Sequence, residues 1–354
     1  MWDAQLLKEK NAISKQSLLG LMHWIVIAIS FLVTIFAWHF FKVSVEAENK
    51  EHFEHEATEV IHLFLDRLSK YEDALKAGVS YILALNKDIS FLEWKAFAEN
   101  LSIENQYPGI NGIGVIHHIE SHQFQPYLEK QRIIRPDYNI HPPHNKDEFW
   151  PISYIIPVDI NKKAVGLDMA FESNRLSSAK KARDSGTTQI TAPIILVQDN
   201  KNSPGFLMFV PFYDTKDPLP EDQRTKRFKG IVYAPFIFEK LIKGVLEEKN
   251  LYLSLKINDG NEVLYNNHTL QSDTYDPTSF QEFESDILVF GRKWTFHIKS
   301  NTSFQKDFFN NQPLLILVFG ILIDLLLIVL FITLTTINKR ALLLVDKIYD
   351  ERNK

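Results

Sequence analysis

The chain contains no cysteine. That excludes disulfides, thiolate zinc centres and thiol catalysis, and it is compatible with a bacterial periplasm without establishing one. Also absent are a P-loop, a G-x-S-x-G elbow, an H-E-x-x-H helix and any GGDEF-like run, so no catalytic signature stands in the sequence. Positive charge is not in excess: 39 Lys and Arg face 44 Asp and Glu, for a formal net charge of −5. Nucleic acid is therefore not a suggested partner. No long internal repeat is visible. Two N-x-S/T triplets, at Asn267 and Asn301, are short enough to arise by chance.

Apolar residues, by contrast, are plentiful. They make up 45% of the 354 residues, enough for two or three domains with sizeable cores. Two runs are long enough to cross a bilayer, which takes about 20 residues. The first covers residues 18–41, with Trp24 and Trp38 near its ends as interfacial aromatics. It is longer than a signal-peptide core and is followed by no convincing small-x-small cleavage site, so an uncleaved anchor is expected. The second covers residues 313–337. Lys8, Lys10 and Lys15 precede the first run, and Lys339 and Arg340 follow the second. The positive-inside rule then puts both termini in the cytoplasm and the large middle outside, in a two-pass protein of the inner (plasma) membrane. Asp324 interrupts the second span. An ionisable residue at that depth either pairs across a dimer or with a partner subunit, or stays a neutral, protonated carboxyl that hydrogen-bonds locally.

Between the spans, residues 42–105 read as stalk helices. Ala57, Ile61, Phe64, Leu68, Tyr71, Leu75, Gly78, Ile82 and Leu85 recur in alternating steps of four and three, the heptad pattern. The seam could pair with a second copy or serve as the spine of its own domain. Ser90 and Glu93 form a capping-box pattern ahead of Trp94, Phe97, Ala98 and Leu101. Strands are expected at residues 110–119 and 149–158, with a helix at 123–132 between them. Residues 214–229 are polar and carry proline, and read as a linker. Residues 230–312 read as a second, smaller α+β unit.

The stretch from Ala164 to Tyr213 concentrates the chemistry. Residues 164–171 alternate as a strand would, with Val165, Leu167, Met169 and Phe171 on one face. Ala164, Gly166, Asp168 and Ala170 occupy the other. Three tiny side chains around one carboxylate suggest a hollow into which Asp168 could accept donors from a small ligand. The rival reading makes Asp168 a structural carboxylate, capping a turn or pairing with Arg175 or Arg183. A helix is expected over 175–185, capped by Ser173 or Asn174 and ended by Gly186. Two strands, 190–198 and 205–213, follow across the turn NKNSPG.

The ordered blocks YPGINGIGVI, FWPISYIIP, GLDM, KARDSG, TAPIILVQ and PGFLMFVPFY resemble the CHASE domain. That family forms the extracytoplasmic sensors of histidine kinases and nucleotide and diguanylate cyclases, and it includes the plant cytokinin receptors. The resemblance implies an α+β fold: a long N-terminal stalk helix, then tandem PAS-like α/β units, flanked by two transmembrane helices. The membrane-distal unit would be 106–213. By the same resemblance, Asp168 would hold the ligand and Ile190 would offer a backbone contact. Phe149, Tyr154, Ile156, Thr191 and Phe209 are candidates for the pocket wall, although such residues are more often plain core. Dimerisation through the stalk and spans is implied, and no cofactor. A cytokinin is not the expected ligand.

Histidines cluster at His117, His118, His122, His141 and His144, but no ligand spacing supports a metal centre. The tail NKRALLLVDKIYDERNK reads as the start of a signalling helix with Leu344, Val345 and Ile348 as its seam. It is too short for a catalytic domain and carries no histidine phosphoacceptor. The expectation is a membrane sensor without catalysis on this chain, its output lying on a cytoplasmic partner. Two alternatives remain: the sensory fragment of a histidine kinase or diguanylate cyclase cut at Lys354, and a dimeric membrane scaffold that senses nothing.

Overall fold

The computed structural model describes residues 2–197, 203–248, 253–267, 281–301, 304 and 311–352. The strand end expected at Gln198, most of the NKNSPG turn, the strand start at Leu251, the hydroxyl residues of both asparagine triplets and Lys354 lie outside the described residues. The chain divides into two compact units, 53–306 and the combination of 1–52 with 307–354.

In the larger unit the spine is helix α1 (Trp2–Leu85). Its heptad stripe is buried within the chain itself: Ala57, Ile61, Phe64, Leu68, Tyr71, Leu75 and Ile82 are all core residues. Phe64 packs on Trp294 and Phe296, with ring centroids 5.9 and 5.5 Å away, and Tyr71 stacks on Phe236 at 5.5 Å. Gly78 is a close-approach point, where any side chain would press on Trp94 and Val232. The seam that the sequence left open between dimer and spine is therefore occupied by the chain's own two sheets. Helix α2 (Phe91–Asn100) carries the expected capping box, with Ser90 and Glu93 exchanging side-chain-to-backbone bonds. Its Trp94 is fully buried and donates from Nε1 to Ile113 O at 3.2 Å. A single turn, α3 (Ile103–Gln106), completes this layer.

The six-stranded sheet, in the segment expected from sequence to form the distal unit and called the distal sheet below, is antiparallel. Its strands are β1 (Ile113–His117), β4 (Ile152–Ile156), β5 (Gln189–Ile190), β6 (Ile194–Ile195), β7 (Pro204–Tyr213) and β8 (Phe228–Ile237). They lie in the order β4-β1-β8-β7-β5, with β6 also on β7. The long apolar runs GFLMFVPFY and GIVYAPFI are the two central strands, buried on both faces as continuous runs should be. A small pair, β2 (Ile119–Glu120) and β3 (Glu148–Phe149), sits apart from this sheet, so the strands expected at 110–119 and 149–158 each break in two. Helices α4 (Phe124–Arg132), α5 (Val158–Asn161) and α6 (Ser173–Ser185) fill the connections.

One boundary moves. Residues 214–229 do not join two units; they form α7 (Glu221–Arg227) and link β7 to its antiparallel neighbour β8. Gly230 to Pro235 therefore belong to the distal sheet. The second sheet begins after α8 (Phe238–Glu248), and contains β9 (Leu253–Asp259), β10 (Glu262–Asn266), β11 (Glu282–Val289) and β12 (Arg292–Ser300) in the order β10-β9-β12-β11. Phe206, Phe236, Phe238 and Trp294 form an aromatic cluster joining the two sheets. The fold is α+β with two PAS-like sheets on one long helix, flanked by two apolar helical segments.

In the other unit, the N-terminal part of α1 runs antiparallel to α9 (Gln312–Arg352). Each contains a stretch apolar and long enough to cross a membrane. Their outward side chains, among them Phe36, Leu322 and Leu326, are large and apolar. Between the helices Asp324 is buried. It accepts from Ser30 Oγ at 2.5 Å and, more weakly, from Thr34 Oγ1 at 3.5 Å. Gly320 allows Thr34 its close approach, and His23 stacks on Phe331 at 4.4 Å. Asp324 thus hydrogen-bonds within the chain, to the other apolar helix.

Candidate functional site

The segment 164–171 is not a strand. Two 3₁₀ turns, Lys162–Ala164 and Met169–Phe171, bracket Gly166, whose φ of 79° suits glycine and almost no other residue. A side chain there would drive into Asn139 O. The kink breaks the two-residue alternation. Asp168 consequently turns towards the loop 141–150, while Leu167 and Met169 turn the other way.

Asp168 is only 1% exposed. Its Oδ1 accepts from the backbone N–H groups of Trp150 and Ala170, both at 2.8 Å. Its Oδ2 accepts from His144 Nε2 at 2.8 Å. Lys146 N donates to His144 Nδ1 at 3.2 Å, which leaves the ring proton on Nε2, facing the carboxylate. His144 also stacks on Phe149 at 4.7 Å. Trp150 and His144 close over the carboxylate itself, so the expected hollow is not over Asp168. Neither arginine pairs with it: Arg175 pairs with Glu172, and Arg183 with Asp184.

Of the other six candidates, Phe149 lies beside Asp168 through His144, and the remaining five are dispersed. Ile190 gives its N–H to Phe290 O at 3.2 Å, at the turn between β11 and β12. Thr191 exchanges two bonds with Leu207, the backbone N–H to Leu207 O and the hydroxyl from Leu207 N. Phe209 and Ile156 are core strand residues, on β7 and β4. Tyr154 donates to Ile89 O at 3.1 Å. It belongs to a polar layer with His117, Ser153, Tyr127, Tyr138 and Arg135, whose guanidinium lies over the rings of Tyr138 and Tyr154 at 4.5 and 4.9 Å. Burial pushes His117 down to about 4, so it stands neutral in that layer at pH 7.

A cavity does exist, one layer away. It is lined by Ile152, Ala164, Leu167, Met169, Leu196, Val197, Leu207 and Pro235, with Arg175 and Tyr233 as its polar members. None of the seven sequence-derived candidates lines it. Its free volume is ≈ 10 Å³, near the minimum that admits one water. Tyr233 is 1% exposed and its hydroxyl has no hydrogen-bond partner among the described residues. Burial raises its pKa well above the usual phenol range, so the hydroxyl keeps its proton. Arg175 enters from the first turn of α6, its side chain 13% exposed. Its Nε is 2.9 Å from Glu172 Oε2 but is not aligned to donate to it, and neither atom has a hydrogen-bond partner. The carboxylate Oε1 of Glu172 caps α6 through Asn174 N, a role expected of Ser173 or Asn174.

Arg175 and Tyr233 were legible only in part. Arg175 stood in an expected first helical turn, and Tyr233 was the one polar side chain in the strand IVYAPF. Nothing in the spacing brings them together; they meet at one cavity, Arg175 reaching it from α6 and Tyr233 from β8. Among the described residues no cluster of three metal-ligating side chains occurs. His118 faces Glu148, and His122 faces Glu120.

The CHASE domain model matches residues 87–268, just over half of the chain, and the chain belongs to the CHASE domain family. It is thus built around an extracytoplasmic sensory module, and the sensory domains of this family are non-catalytic. No curated protein matches the chain. Among solved structures, it is similar to an extracellular ligand binding receptor from Desulfohalobium retbaense, at 11% identity and a TM-score of 0.46 over 70% of this chain. The chain spans 40% of that receptor's length. It is also similar to the periplasmic sensory domain of the Campylobacter jejuni chemoreceptor Tlp1, at 10% identity and a TM-score of 0.45, covering 73% of this chain and 97% of that one. For a structure described as methyl-accepting chemotaxis protein X, identity is 12% and the TM-score 0.40, covering 73% and 99%.

Proposed function

We propose that this chain is a two-pass membrane receptor whose distal sheet holds a small extracytoplasmic ligand in the cavity beneath Tyr233. Both termini are cytoplasmic in this reading, as the basic residues at the outer ends of the two spans favour. One observation carries the reading: a CHASE sensory domain containing a cavity with an apolar lining and two polar groups, Arg175 and the Tyr233 hydroxyl, the latter without a hydrogen-bond partner among the described residues. Concave, mostly apolar sites with few placed polar groups are what small ligands use. The free volume is too small for a metabolite, so the ligand selects a more open state and shifts the population towards it. α9 continues as one helix from its apolar segment through Lys339 and Arg340 to Arg352, which gives the change a route to a cytoplasmic output partner.

The test is a thermal-shift screen of the full chain in lipid nanodiscs against a metabolite library. Wild type is compared with Ala164→Val, whose added methyl groups fill the cavity. The expected result is at least one compound that raises the midpoint of wild type and leaves the variant unmoved. If every stabilising compound acts equally on both, the cavity is not where this receptor senses.

A further inference from the structure

We propose that the ligand is a small monocarboxylate with an apolar body, its carboxylate received between the Tyr233 hydroxyl and the Arg175 guanidinium. This rests on the receptor reading above and adds the chemical class. Two donor groups line the cavity: the protonated Tyr233 phenol, which has no partner among the described residues, and the Arg175 guanidinium, whose Nε lies 2.9 Å from Glu172 Oε2. The lining residues carry no carboxylate of their own. An unmade buried hydrogen bond costs about 1–3 kcal/mol, so a buried phenol without one, beside a guanidinium, is a feature in need of an explanation. A planar acceptor with two oxygens can serve both at once, and arginine is the side chain best matched to it.

The charge balance narrows the class further. Arg175 also faces Glu172, so a bound monoanion would share one guanidinium with that carboxylate, and a dianion would add a further charge with no cation to meet it. The remaining walls are Ile152, Leu167, Met169, Leu196 and Leu207, which offer nothing to a second polar group and favour a hydrocarbon body. Val197 is 37% exposed and marks the side on which the cavity approaches solvent. Asp168 takes no part: its acceptor capacity faces the opposite loop.

The experiment uses the full chain in lipid nanodiscs and three probes of one shape: isovalerate, isovaleramide and isoamylamine. Calorimetry should show isovalerate binding at least about tenfold more tightly than the amide, and the amine not at all. Tyr233→Phe should weaken isovalerate about tenfold, and Arg175→Gln about a hundredfold. Tyr233→Phe removes a hydroxyl that has no partner, so it should fold with an unchanged or higher thermal midpoint; weaker binding in that variant is not a folding defect. Equal binding of acid and amide, no binding of any probe, or isovalerate binding untouched by both substitutions would each overturn the carboxylate assignment. Its failure differs from failure of the receptor reading. Library hits that are lost in Ala164→Val but are neutral or cationic would leave the receptor standing with another ligand class.

Discussion

Removing the Asp168 carboxylate should unfold the distal sheet, not blunt ligand binding alone. In Asp168→Ala three donors lose their acceptor: the N–H groups of Trp150 and Ala170, and His144 Nε2. The two backbone groups are buried, and each unmet buried donor costs about 1–3 kcal/mol. Since His144 is near the surface and can turn to water, a total of about 3–5 kcal/mol is reasonable. For a unit of this size 1 kcal/mol moves the thermal midpoint by about 2–4 °C, so the fall should be about 6–20 °C. Asp168→Asn keeps Oδ1 for both backbone donors and opposes only His144 with its amide, so its loss should be less than half as large. The assay is thermal unfolding of the full chain in nanodiscs, followed by near-ultraviolet circular dichroism, to which the buried Trp150 contributes. A fall of under 2 °C for Asp168→Ala would refute this reasoning and return the carboxylate to candidacy as a ligand contact.

Acid should weaken the fold before its carboxylates protonate. His117 is held neutral in the fold with a pKa of about 4, whereas the unfolded chain takes up that proton near 6.5. Its stability contribution is complete above pH 6.5 and is lost as pH falls through about 4, a difference of about 3 kcal/mol. His117→Gln should flatten the pH profile of the thermal midpoint across that window; an unchanged profile would mean that the ring is not buried neutral. Gly166→Ala should cost more than about 2 kcal/mol, because it combines a disfavoured φ with a clash on Asn139 O, and a thermal midpoint close to wild type would count against the kinked conformation. In the spans, a double-mutant cycle between Ser30→Ala and Asp324→Ala, read by detergent denaturation, should give a coupling of about 0.6–1.7 kcal/mol. Strict additivity would mean that the two side chains do not meet.

Local signals survived the passage from sequence to structure best. The Ser90–Glu93 capping box, the αL cap at Gly186, the stalk heptads and the two apolar helices all depend on neighbours within a few turns, and each stands where its residues placed it. The strand over 164–171 failed because alternation assumes an extended chain, and one left-handed glycine reverses which side chains share a face. The linker over 214–229 failed for a related reason. Its polarity marks exposure equally well between two units and between two neighbouring strands, and only the pairing of β7 with β8 distinguishes them. The cavity was the least legible part. Its two donors stand 58 positions apart, and the missing hydrogen bond that singles them out is a property of packing.

Because the stalk turns its heptad residues inward, the rim it leaves to solvent includes Glu54, His55, Thr58, His62, Asp66, Ser69, Lys70, Asp73 and Lys76. Two such rods laid side by side would meet through hydrated, mixed-sign groups, and salt at cellular strength damps such contacts beyond about 8 Å. Partners joined along this edge would slide and separate readily, sensitive to ionic strength and pH, in a way that a leucine zipper is not.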